Sequence, residues 1–79
     1  MARNESAVGS VGQLTVGTRG AGGPGEVLLR IRGGSETFLA WSDDPIAKGS
    51  TVMVIEDRGA RAVAVISLAG PSDSSNVTL

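Results

Sequence analysis

The stretch GAGGPGEVLLRIRGG, residues 20–34, carries two competing signals, and the one that governs decides the fold. Its first six residues spell Gly-x-Gly-x-x-Gly, the pattern that cradles a dinucleotide pyrophosphate. That pattern works where a strand ends at the first glycine and a helix begins at the third, because the helix supplies free N–H groups and the positive end of its dipole. Here Gly25 is followed by Glu26-Val27-Leu28-Leu29-Arg30-Ile31-Arg32. Val27, Leu29 and Ile31 alternate with Leu28, Arg30 and Arg32, a period of two and not of 3.6. Branched side chains and the closing Gly33-Gly34 pair mark a strand that ends in a hairpin. Pro24 favours a turn or a strand edge. With a strand where the fingerprint needs a helix, the glycines are expected to form a turn that binds no nucleotide.

Outward from this strand, four more runs have the same character. Residues 12–18 carry Leu14 and Val16 and lead into the glycine loop. Residues 36–42 (ETFLAWS), 51–56 (TVMVIE) and 62–68 (AVAVISL) follow. A turn is expected at Asp57-Arg58-Gly59-Ala60. Short strands separated by turn signals predict an all-β fold, a small five-stranded barrel or sandwich spanning residues 11–68. The connection over residues 43–49 reads as at most one helical turn, capped by Asp43 or Asp44, with Pro45 at its first position and a left-handed Gly49 as its stop. Val27, Leu29, Ile31, Val52, Val54, Val63 and Val65 are the expected core, with Leu14, Val16 and Phe38 closing the barrel. Residues 1–10 read as a mobile lead-in and residues 69–79 as a disordered tail. Asn76-Val77-Thr78 in that tail fits the glycosylation pattern by chance.

Composition removes several functions. The 79 residues make one domain, which buries only about 60% of its unfolded surface. The sequence has no cysteine and no histidine, so there is no disulfide, no thiolate chemistry and no imidazole base or zinc ligand. Seven basic and eight acidic side chains leave a net charge of −1, with no long run of either sign. No segment approaches the ~20 apolar residues of a membrane-spanning helix, and the chain as given is expected to be soluble.

The string Gly25-x-Val27, Gly33-Gly34, Phe38-x-Ala40-x-Ser42 and Pro45-Ile46-x-x-Gly49-x-x-Val52-x-Val54 resembles the C-terminal soluble domain of the NfeD family, over about residues 11–68. The resemblance implies a five-stranded OB-type barrel with a short turn in place of the helix between strands three and four. It also implies membrane association in the full-length protein, through segments absent from this chain. A role in regulating membrane proteases is implied, with stomatin- or flotillin-like membrane proteins as partners. It supplies no catalytic residue for this domain.

Four polar residues deserve a chemical reading. Ser42 and Lys48 would make a nucleophile–base pair only if the lysine were desolvated and in hydrogen-bond reach. A strand end and a wet turn do not provide that. Asp43 and Asp44 are adjacent carboxylates without the spacing of a calcium loop, and a capping turn explains them better. No catalytic residue, metal or cofactor is therefore assigned. Single-stranded nucleic acid is the alternative ligand of an OB-type face, but one tryptophan, one phenylalanine and a near-neutral charge do not favour it. In ETFLAWS, Phe38 and Ala40 share one face, and Leu39 and Trp41 share the other. Period alone leaves open which aromatic enters the core; the resemblance favours Phe38. An outward Trp41 with Leu39, rimmed by Arg30 and Arg32 from the neighbouring strand, has the composition of a protein-binding face. The sequence thus leads to a non-catalytic protein-interaction module with Leu39, Trp41, Arg30 and Arg32 as its contact residues. Its partner would be a membrane protein or a second copy.

Overall fold

The computed structural model describes residues 7–31 and 33–68. The period of two around Val27 is realised in burial: Val27 and Leu29 are fully enclosed, whereas Glu26, Leu28 and Arg30 face outward. This run is β2 (Gly25–Ile31), set between β1 (Val11–Val16) and β3 (Gly34–Trp41). With β4 (Thr51–Gly59) and β5 (Ala62–Ser67) it closes a barrel in the order β1-β2-β3-β5-β4. Every pairing is antiparallel except the short parallel one joining Leu39–Trp41 of β3 to Ala62–Ala64 of β5. This is the all-β, five-stranded OB-like barrel expected from the sequence.

The core is a single cluster of Leu14, Val27, Leu29, Ala40, Val52, Val54, Val63 and Val65 with Ala7, against which Ile31, Phe38 and Ile46 pack half-buried. Two expected core residues need correction. Val16 is 46% exposed. β1 bulges at Thr15, so that Leu14 pairs with Val27 but Val16 pairs with the next residue back, Glu26. One extra residue turns the following side chain to the opposite face. Ile31 is half-buried because it lies beyond the last β1–β2 rung, Gly12–Leu29.

Two connections also differ from expectation. The β4–β5 turn is not residues 57–60, because β4 continues to Gly59 and the turn is Ala60-Arg61, at φ +53° and +59°. Two consecutive left-handed residues are what a tight hairpin needs to match the strands' twist. No helical turn forms over residues 43–49, and neither aspartate caps one. That segment is instead drawn along β1: the Thr18 N–H donates to the Ile46 carbonyl (2.9 Å) and the Gly49 N–H to the Leu14 carbonyl (2.8 Å). A neighbouring strand satisfies more backbone groups than one isolated helical turn would. Gly49 does adopt a positive φ, +90°.

Residues 7–10, part of the expected lead-in, lie against β4, with the Gly9 N–H on the Val54 carbonyl and the Val54 N–H on the Ser10 carbonyl, each at 2.9 Å. The rest of the lead-in, the tail of residues 69–79 and its Asn76–Thr78 pattern lie outside the described residues.

Candidate protein-binding groove

β3 places its two aromatic residues on opposite faces, as an uninterrupted strand must. Phe38 packs against the core cluster and Ala40 is fully enclosed, while Leu39 is 44% exposed and Trp41 half-buried on the outer surface. Trp41 pairs with Ala64 of β5. Ala64 alternates with the core residues Val63 and Val65 and so faces outward, yet it is only 7% exposed. It is the floor of an open groove of about 690 Å³ across the outer faces of β3, β5 and β4. Trp41 and the loop from Asp43 to Ala47 form one wall; Ile55 and Arg58 form the other; Ile66 extends the floor. Ile55 and Ile66 are 49% and 42% exposed. Ile55 follows buried Val54 and so faces outward, and it is unpaired at a second bulge, since Val54 pairs with Val65 and Glu56 with Ala64.

The loop wall is held by a chain of hydrogen bonds beneath it. The Ile46 N–H donates to Thr18 Oγ1 at 2.8 Å, and the Ser42 hydroxyl donates to the Asp44 carbonyl at 2.7 Å. The Thr18 and Ser42 hydroxyl oxygens are 2.6 Å apart. With the Ser42 hydrogen already used, the Thr18 hydroxyl is the donor to Ser42 Oγ. Thr18 is only 5% exposed, and its N–H and its hydroxyl are both hydrogen-bonded to this loop. The glycine loop supplies the room. Gly20, at φ +63°, lies so close to the Asp43 carbonyl that a Cβ would come within 2.9 Å of its oxygen, and a Cβ on Gly17 would come as close to the Ile46 carbonyl. Gly17 and Gly20 therefore act as a backstop for the groove wall. Gly20–Gly22 make one 3-10 turn and β2 follows at Gly25, so there is no α-helix N-terminus to receive a phosphate.

The chemical candidates fall out accordingly. The Ser42 hydroxyl is engaged by Thr18 and Asp44, and Lys48 is not among its partners. Among the described residues, no group of three acidic, histidine or cysteine side chains could hold a metal ion. Asp43 and Asp44 are exposed at the groove rim, and neither carboxylate has an ion-pair partner among the described residues.

Of the expected contact residues, the structure brings Leu39 and Trp41 together but not Arg30. Leu39 lies opposite Glu26, whereas Arg30 lies opposite Ser35, four residues or about 13 Å further along β3. Arg32 lies outside the described residues. Sequence reasoning missed Ile55, Arg58, Ala64 and Ile66. The available signal was the apolar character of both faces of β4, Met53 and Ile55 as well as Val52 and Val54.

Known proteins share this barrel. A search of curated protein sequences finds no match. Among solved structures, the soluble domain of the NfeD protein YuaF from Bacillus subtilis superposes with a TM-score of 0.64 at 26% identity, covering 76% of this chain and 71% of that one. The C-terminal domain of stomatin operon partner protein 1510-C from Pyrococcus horikoshii gives a TM-score of 0.60 at 23% identity, covering 85% of this chain and 95% of that one. At that identity the second match concerns the fold alone. The model of the NfeD C-terminal domain family matches residues 11–66, from the first residue of β1 almost to the end of β5. On this match over most of its length, and on the barrel that the matched residues build, the chain belongs to the family of NfeD C-terminal domains.

Proposed function

We propose that this domain is a non-catalytic protein-interaction module of a membrane-associated protein, supporting assembly with, or regulation of, membrane proteins and proteases. The observation that carries the reading is the groove around Trp41: a large aromatic and two exposed isoleucines on the outer face of a barrel whose core is already complete without them. Aromatic side chains are enriched at the centres of protein contacts, and tryptophan is among those that most often dominate their energetics. Family membership supports the membrane-associated context. Among the described residues no helix is long and apolar enough to cross a membrane, so any anchoring would use other segments or a partner. The structural neighbour named a stomatin operon partner protein makes a stomatin-like membrane protein the partner to test first. Leu39 and Trp41 are the contact residues retained from the sequence reading, joined by Ile55 and Ile66; Arg30 belongs to a separate surface. Nucleic acid is less well supported, since the outer face of β2 carries Glu26 and Leu28 beside its one described arginine.

The test is a titration of the isotope-labelled domain with a purified stomatin-family protein in detergent micelles, followed by amide shifts. Saturable shifts at Trp41, Ala64 and Ile66 are expected. Saturable shifts confined to other faces would refute the face, and no shifts at millimolar protein would refute the partner.

A further inference from the structure

The geometry points to a head-to-tail contact between copies of this domain, in which the outer face of the β2–β3 hairpin of one copy enters the Trp41 groove of the next. This inference rests on the protein-interaction reading and gives it a specific occupant. The argument is one of complementary surfaces that a single copy cannot bring together. The groove offers an apolar floor with the carboxylates of Asp43 and Asp44 at its rim, neither with an ion-pair partner among the described residues, while Arg58 on the far wall is paired with Glu56. On the outer face of β2, Leu28 (41% exposed) and Arg30 stand two residues apart, an apolar side chain followed by a cation without an ion-pair partner among the described residues. Along a strand that spacing is about 7 Å, and in the groove the apolar Trp41 and the acidic Asp43 are likewise two residues apart in the chain. Arg30 lies across from Ser35 and Trp41 is the last residue of β3, so the two surfaces sit at opposite ends of that strand, about 20 Å apart. No reorganisation of one barrel closes that gap, whereas a second copy closes it directly.

The hairpin is also the least paired part of the barrel, its free side crossed by the Arg61 side chain, which pairs with Glu36 and lies over Phe38. β5 pairs with β3 only from Leu39 onward. Among the described residues, no strand pairs with Gly34–Phe38 on the side away from β2, and a partner there covers an edge that proteins otherwise protect. Because hairpin and groove are different surfaces, each copy uses both, and the contact is heterologous. Such contacts close into rings or continue as open chains. One small groove and one or two charge pairs give a weak interface, effective where copies are already gathered on a membrane assembly.

Sedimentation velocity of the 79-residue chain tests this, with three samples at 10 μM to 1 mM and low salt. The wild type is expected to associate with rising concentration, and to dissociate in 0.5 M salt because the charges are solvent-facing. Arg30→Glu has an acidic hairpin and an acidic groove; the double variant Asp43→Arg/Asp44→Arg has a basic hairpin and a basic groove. Each alone is expected to bind itself at least tenfold more weakly than wild type, while an equimolar mixture regains association, since every hairpin then meets a groove of opposite sign. All three changes are at exposed positions and leave the core untouched. A wild type that stays monomeric at 1 mM, variants that associate like wild type, or a mixture that remains monomeric would each overturn the proposal. Should that happen while a stomatin-family protein still shifts Trp41, the interaction reading stands and only the self-contact falls.

Discussion

Replacing Thr18 by valine removes one hydroxyl and keeps nearly the same volume, so packing is preserved and only the loop's hydrogen-bond chain is cut. The Ile46 N–H loses its 2.8 Å acceptor, and Ser42 Oγ loses the 2.6 Å donor. Ser42 is half-exposed and rehydrates, so its loss adds little. The Ile46 N–H is directed at a position that is 5% exposed and that water does not readily fill. A stranded donor of this kind costs about 1–3 kcal/mol, a large share of the roughly 4–12 kcal/mol that a chain of this length holds. Urea unfolding should therefore show a lower midpoint with an unchanged slope. Amide exchange at Ile46 should accelerate as the wall of residues 43–47 loosens. Thr18→Ser is the control: it keeps the hydroxyl and should keep Ile46 protected, although it loses a buried methyl worth about 0.8 kcal/mol. A Thr18→Val variant as stable as wild type, with Ile46 still protected, would refute the role assigned to the chain.

Leu29→Ala should cost about 2–5 kcal/mol in the same unfolding assay, whereas Val16→Ala should stay within about 0.5 kcal/mol because the bulge turns Val16 to solvent; equal losses would mean the β1 register is wrong. Ala60→Gly should raise the midpoint by several degrees, since a left-handed alanine costs about 1–2 kcal/mol and the entropic cost of glycine offsets roughly half of that; a lower midpoint would refute strain at Ala60. NAD or ATP at millimolar concentration should leave the amide signals of residues 17–25 unmoved, and saturable shifts there would restore the phosphate-loop reading.

The period of two after Gly25 places a strand where the nucleotide fingerprint needs a helix, and similar runs place the other four strands, because a half-buried strand writes its orientation into alternate positions. Bulges are invisible to that reasoning. At Thr15 the alternation of apolar residues continues in the sequence while the backbone inserts one unpaired position, so the pattern assigns Val16 to the core although it faces solvent. The turn at Ala60-Arg61 was misplaced for a related reason. Gly59 looks like a turn centre, but here, at φ +75°, it ends the strand, and the two turn positions that follow fall to residues with Cβ atoms, Ala60 and Arg61. The faces of Phe38 and Trp41 followed from alternation together with the family resemblance. The groove did not, since its floor and far wall come from β5 and β4, and only closure of the barrel brings Ala64, Ile66 and Ile55 beside Trp41. Likewise the glycine loop is legible as a turn, but not Gly17 and Gly20 as the surface on which residues 43–47 rest.

The claim that the outer face of β3, β5 and β4 carries the function is tested most directly by the affinity of Trp41→Ala for a purified stomatin-family protein. Isothermal titration is the measurement, with Ala21→Glu in the exposed part of the glycine loop as the control. Loss of a central tryptophan costs about 2 kcal/mol or more at such a contact, so binding should weaken about thirtyfold or more in Trp41→Ala while Ala21→Glu binds like wild type. A folded Trp41→Ala variant with wild-type affinity would contradict the account.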